Sequence, residues 1–89
     1  DFNALDNSKV IEVLKKEFKD SMKISEKMHN GPIGTFNNFL PKQEITKRID
    51  YIFIYGMKIV SHEHVNKKLD NGNHISDHLP VLTKMKISK

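Results

Sequence analysis

Two periodicities run through the chain. Between residues 8 and 20, in SKVIEVLKKEFKD, Val10, Ile11, Leu14 and Phe18 recur at intervals of three and four. That spacing gathers four apolar side chains on one face of an α-helix and leaves Lys9, Glu12, Lys15, Lys16 and Lys19 around the rest as a solvated face. Asn7 or Ser8 precedes the pattern, where a side-chain oxygen can accept a free backbone N–H and cap the helix. The second periodicity is that of strands. RIDYIFIYG, residues 48–56, is β-branched and aromatic and stops at Gly56. Alternation sends Ile49, Tyr51, Phe53 and Tyr55 one way and Asp50, Ile52 and Ile54 the other, so both faces are apolar and this strand belongs between two layers. MKIVSHEHV (57–65) and LPVLTKMKI (79–87) predict two further strands, joined by the polar loop NKKLDNGNHIS. Residues 21–47 are less regular. NGPIG (30–34) reads as a turn, TFNNF as a short strand or a loop, and LPKQEITK as exposed. A helix followed by several strands predicts an α+β or layered α/β fold.

Composition narrows the picture modestly. A chain of 89 residues is one domain at most. There is no cysteine, so neither disulfides nor thiolate metal sites contribute, and the compartment stays open. The net charge of +4 and pI of about 9.4 mildly favour phosphate-bearing partners without forming the dense basic face of a dedicated nucleic-acid-binding domain. No apolar run reaches the roughly 20 residues of a membrane span. The chain opens abruptly on DFNAL, a phrase suited to the middle of a protein, which suggests residues upstream.

Several polar groups stand where strands begin or end. Asp50 shares a strand face with Ile52 and Ile54, and a buried carboxylate needs a partner. One reading pairs it with Arg48 or a backbone amide. The other pairs it with His78, fixing the imidazole's tautomer, favouring its charged form and aiming its second nitrogen outward. Asp77 points away from His78 if both are extended, and its hard oxygens suit magnesium or calcium. Ser76-Asp77-His78 is equally compatible with simple turn chemistry. In DFNA, Asp1 and Asn3 share a face, where a carboxylate and a carboxamide can hold and deprotonate a water and then hydrogen-bond a charged oxygen; an Asx turn is the plainer explanation. His62 and His64 lie on one strand face at a spacing that can ligate zinc, with His74 near in sequence. Exposed histidines without a metal are the more economical expectation, and His29 has no interpretable context.

The order of these stations is informative. DFNA before a helix, then GTFNNF, RIDYIF and SDHLPV, resembles the C-terminal half of the endonuclease/exonuclease/phosphatase superfamily, the group of deoxyribonuclease I, over residues 1 to about 84. The glycine that normally precedes the DFN aspartate is not in this sequence. The resemblance implies a four-layer α/β/β/α sandwich, with residues 1–89 as the C-terminal part of a single domain and the N-terminal half as a missing partner. It implies catalytic roles for Asp1, Asn3, Asp50 and His78, a metal-linked Asp77, and a place near the substrate for Asn3, Thr35, Phe36 and Asn37. It implies hydrolysis of a phosphate ester with Mg2+, or Mn2+ or Ca2+ in its place. Substrates on this fold include nucleic acid, phospholipid head groups and sugar or inositol phosphates. The family's upstream asparagine and glutamate metal ligands have no counterpart here, so the isolated chain is expected to be inactive. The alternatives are a non-catalytic basic module that binds phosphate or nucleic acid, and a zinc-binding protein built on His62, His64 and His74.

Overall fold

A computed structural model describes residues 1–87. The first helix, α1 (Lys9–Glu17), forms as the periodicity requires, and the Ser8 hydroxyl caps it by accepting from the Ile11 N–H. It ends three residues before the end of the 8–20 segment and one before its last apolar position, Phe18. Phe18 turns extended, and Lys19–Asp20 becomes strand β1, paired antiparallel with β2 (Phe53–Ile54). A buried ion pair outweighs helical propensity here. The Asp20 carboxylate accepts both terminal guanidinium N–H groups of Arg48 and also the Met22 N–H, which caps the short helix α2 (Ser21–Ile24). Arg48 therefore pairs with Asp20, not with Asp50. Of the helix's four apolar positions, only Ile11 is fully buried.

Residues 48–54 run through the middle, although only Phe53–Ile54 forms a ladder. On one side the Phe2 N–H bonds to the Ile49 carbonyl; the Ser21 N–H bonds to that of Ile52. Ile49, Tyr51 and Ile54 join Ile11, Ile45, Ile59 and Leu79 in the buried core. Tyr51 stacks near Phe2 and Phe53, with the Arg48 guanidinium 4.4 Å above its ring. Burial pushes its phenol pKa up to about 12. No helix among the described residues is long and apolar enough to cross a membrane.

The second sheet pairs β3 (Met57–His64) antiparallel with β4 (Val81–Ile87). The last strand thus begins two residues later than the sequence pattern, after Leu79-Pro80. Its register carries one irregularity. Ile59 faces Met85, but Ser61 already faces Lys84, leaving Val60 as an extra residue in β3. A bulge of this kind reverses the inward–outward parity of everything after it. Ile59, His62 and His64 consequently share a face opposite Met85, Thr83 and Val81, and all three are buried. The expectation that His62 and His64 are exposed is corrected here. Plain alternation had grouped them with Lys58, and the bulge moves them to the side of Ile59. Burial, together with neighbouring positive charge, lowers both imidazole pKa values to about 4, so the rings are neutral at physiological pH. On the other edge of β3, residues 26–30 run alongside, with the Glu26, Lys27 and Asn30 N–H groups bonding to the carbonyls of Ile59, Val60 and His62.

Candidate active site

The site grows from Thr35. This residue is fully buried, and its hydroxyl oxygen accepts two backbone N–H groups at 3.1 Å, from Ile49 and Asp50. Its own carbonyl accepts the Leu79 N–H at 2.7 Å. One side chain and one carbonyl thereby align the extended segment that carries Asp50 with the segment that carries His78. Phe36 completes the wall: it bridges to both Lys47 and His78, and its ring meets the imidazole edge-on with centroids 5.4 Å apart.

His78 Nδ1 lies 2.6 Å from Asp50 Oδ2. A carboxylate can only accept, so Nδ1 carries the hydrogen and Nε2 is directed away. Burial pushes the Asp50 carboxyl up, but hydrogen bonds from His78 and Thr35 outweigh this and hold it below the usual 3.8. On the other side of the ring, His78 Nε2 sits 3.8 Å from Asp1 Oδ2. The second Asp1 oxygen accepts the Asn3 N–H at 2.7 Å, an Asx turn that places Asn3 at a φ of 47°. The Asx turn and the converging aspartate are therefore one arrangement: the turn uses Oδ1 and leaves Oδ2 for the site.

Asp1, Asp50 and His78, distant in sequence, bring their ligating atoms within 4.8 Å of one another. Asp77 is not part of that convergence; its backbone carbonyl accepts the Asn37 N–H at 2.8 Å. Asn37 is buried and holds the loop, with its amide donating to the Ser76 carbonyl and its side-chain oxygen accepting the Phe39 N–H. Thr35 and Asn37 are thus engaged by backbone groups, whereas Phe36 touches His78 directly. His74 lies outside the group formed by His29, His62 and His64. It lines a cleft of about 400 Å³ beside His78, together with Val65, Ile75, Leu79 and Pro80, and both its ring nitrogens are buried without a protein partner. No spacing in the sequence marks this position, because the loop that carries it has no periodicity.

No family model matches the sequence, and no curated protein matches it. Solved structures do. A functionally unknown protein from Enterococcus faecalis is 31% identical, with a TM-score of 0.90 over 99% of this chain and 34% of that one. A mannosyl-6-phosphatase from Bacteroides thetaiotaomicron is 25% identical, with a TM-score of 0.79 over 98% of this chain and 36% of that one. An endonuclease/exonuclease/phosphatase from Bacteroides vulgatus is 24% identical, with a TM-score of 0.80 over 99% of this chain and 34% of that one. The chain folds as one part of the endonuclease/exonuclease/phosphatase architecture. It spans about a third of the length of each of these structures. The two two-stranded sheets among the described residues match part of that architecture and do not by themselves form a four-layer sandwich.

Proposed function

We propose that the protein carrying this chain hydrolyses phosphate esters by in-line attack of water. The supporting observation is the alignment Asp50–His78–Asp1, an imidazole held by one carboxylate at 2.6 Å and facing a second at 3.8 Å. Asp50 fixes the His78 ring by holding Nδ1–H, which turns Nε2 to the open side, where in the imidazolium form it donates to a phosphoryl oxygen as charge grows there. Asp1 Oδ2, on the open side, orients a water and takes its proton. Asn3, set beside Asp1 by the Asx turn, hydrogen-bonds the phosphate. Phe36 and the Thr35 scaffold keep the ring and Asp50 from drifting, and a preorganised donor requires that rigidity.

The fold implies a divalent cation, and the residues present fit magnesium, which is commonly bound through one or two carboxylates together with substrate phosphate. Asp1, with its side chain half exposed, is the carboxylate of the convergent set that would hold it, and Asp77, outside that set, is the second carboxylate that the family resemblance assigns to the metal. Manganese or calcium would use the same oxygens. The ion would neutralise phosphate charge and the leaving oxygen.

The similarity to a mannosyl-6-phosphatase favours a sugar phosphate over nucleic acid, phospholipid head groups or inositol phosphates. The cleft beside His78, mostly apolar with Lys67, His74 and Ser76 as polar points, suits the non-phosphate part of such a molecule. The test is a panel of sugar phosphomonoesters, phosphodiesters and nucleic acids assayed with and without magnesium. Magnesium-dependent release of phosphate from a monoester supports the proposal. Salt-sensitive binding without turnover of any ester would replace it with a phosphate-binding role.

A further inference from the structure

A second cluster of chemistry-bearing side chains lies away from Asp1, Asp50 and His78. His29, His62 and His64 each offer one ring nitrogen, and these atoms lie within 4.8 Å of one another. The ring centroids are 4.4, 5.0 and 5.1 Å apart. His62 and His64 are 1% and 0% exposed, and His29 is half-buried.

The hydrogen bonds fix most of the tautomers. His29 Nε2 and His64 Nδ1 both lie against the Pro32 carbonyl, at 2.9 and 2.7 Å. A carbonyl only accepts, so both of these nitrogens carry hydrogens. In the neutral rings His29 Nδ1 and His64 Nε2 are then bare lone pairs. His29 Nδ1 is 2.9 Å from His62 Nδ1, a contact in which one nitrogen must supply the proton. His29 cannot, so His62 does, and His62 Nε2 is left as a lone pair. Both His62 Nε2 and His64 Nε2 are buried with no protein partner. Buried acceptors are rarely left unpaired without a reason. Three neutral imidazoles, two of them oriented by one carbonyl through their far nitrogens, are the arrangement that metal-ligating histidines require.

We propose that His29, His62 and His64 form a three-histidine site for zinc or a similar transition ion, separate from the phosphoester site. Neutral imidazole nitrogens select this class of metal over magnesium and calcium, and three protein ligands leave a fourth position for water. Two nitrogens bound tetrahedrally to zinc stand about 3.3 Å apart, from bond lengths of about 2.0–2.1 Å. The 2.9 Å pair is already that close, and the third nitrogen needs to close by about 1.5 Å at most. On binding, the His62 proton shifts from Nδ1 to Nε2, so that the Nδ1 atoms of His29 and His62 and the free nitrogen of His64 each turn a lone pair to the ion. The site ties the segment after α2 to β3. That segment is pinned there by Asn30, whose N–H and C=O bond to His62 and His64 at 3.0 Å. Gly31 makes the close approach possible. Its φ is +95°, and a Cβ at this position would collide with the His64 carbonyl, pushing Pro32 off the two imidazoles.

The proposal is tested by equilibrium dialysis of the protein against zinc alone and against magnesium alone, and by the visible spectrum of the protein loaded with cobalt. We expect one equivalent of zinc at this site, no competition from magnesium, and the intense bands of tetrahedral cobalt. His29→Gln, at the half-buried ligand, should weaken zinc binding by at least about 100-fold, because even outer partners of a metal site are worth about 10–100-fold. His74→Gln and His78→Gln should leave it intact, which keeps this result independent of the phosphoester reading. Because His29 packs against the core residues His62 and His64, folding of each variant is followed by far-UV circular dichroism, and the wild-type cobalt spectrum stands by itself if any of them fails to fold. No zinc uptake by folded wild-type protein, or uptake abolished by His78→Gln and not by His29→Gln, overturns the proposal.

Discussion

Replacing Thr35 with valine isolates the hydroxyl that aligns the site. Valine keeps the shape and a methyl group in place of the oxygen, so the cavity is unchanged while two backbone N–H groups lose their acceptor. The Ile49 N–H is in the core and stays without a partner; that of Asp50 is partly exposed and regains some water. A buried donor left unsatisfied costs about 1–3 kcal/mol. One full penalty and one reduced penalty give about 2–4 kcal/mol for Thr35→Val. That is a large share of the roughly 4–13 kcal/mol expected for a domain of this size. Thr35→Ser keeps the oxygen and loses one buried methyl, at about 1 kcal/mol. Urea denaturation of the two variants and of the wild type gives the comparison, read as midpoint shifts at constant slope. Turnover should follow the same order, with kcat falling in the valine variant and KM little changed, since Thr35 acts through Asp50 and not on substrate. Equal destabilisation by valine and serine would show that the methyl and not the hydroxyl matters here. A valine variant within about 0.5 kcal/mol of wild type would remove the argument altogether.

Three further outcomes follow from the same geometry. Asp1→Ala and His78→Ala should each lower turnover of a phosphate ester by about 100- to 1,000-fold, the usual loss for one preorganised group, in protein shown by circular dichroism to be folded; near-normal rates would refute the assignment. Arg48→Met should cost about 3–5 kcal/mol because it leaves the buried Asp20 carboxylate unpaired, whereas Asp20→Leu with Arg48→Met should recover most of that loss; equal loss in both, measured by denaturation, contradicts this. Asp50 has a folded-state pKa below 3.8, so its carboxylate contributes stability above that value, and the contribution disappears as pH falls through the lower folded value. Urea midpoints measured as the pH is lowered past 3.8 should therefore fall more steeply for wild type than for Asp50→Asn, and identical profiles would show that the His78 contact is energetically idle.

The central course of 48–54 was legible because both its faces are apolar, but the expected strand over 48–56 shrinks to a ladder at Phe53–Ile54, since Ile49 and Asp50 give their N–H groups to the Thr35 hydroxyl instead of to a strand partner. The order of polar stations was equally legible, and the structure brings Asp1, Asp50 and His78 together. Three things were hidden, each for a physical reason. The end of α1 depends on Asp20 meeting Arg48, a contact across 28 residues that no local pattern records. The orientation of His62 and His64 depends on the one extra residue at Val60, and a bulge is invisible to a rule that counts in twos. His29 and Pro32 fall in the irregular 21–47 region, so the partners that explain the buried imidazoles carry no periodicity. His74, next to the other histidines in sequence, belongs instead to the cleft beside His78.

The outer margin of β4 has its own consequence. Its seven residues bond to β3 on one side and have no backbone partner on the other among the described residues. Such a margin invites another strand. Lys84 and Lys86 decide which strand is welcome. A second copy laid antiparallel and centred on Lys84 would set two ammonium groups face to face, whereas a neutral or acidic strand meets no such opposition. The rim of the sheet thus discourages like from adding to like while remaining receptive to a different neighbour.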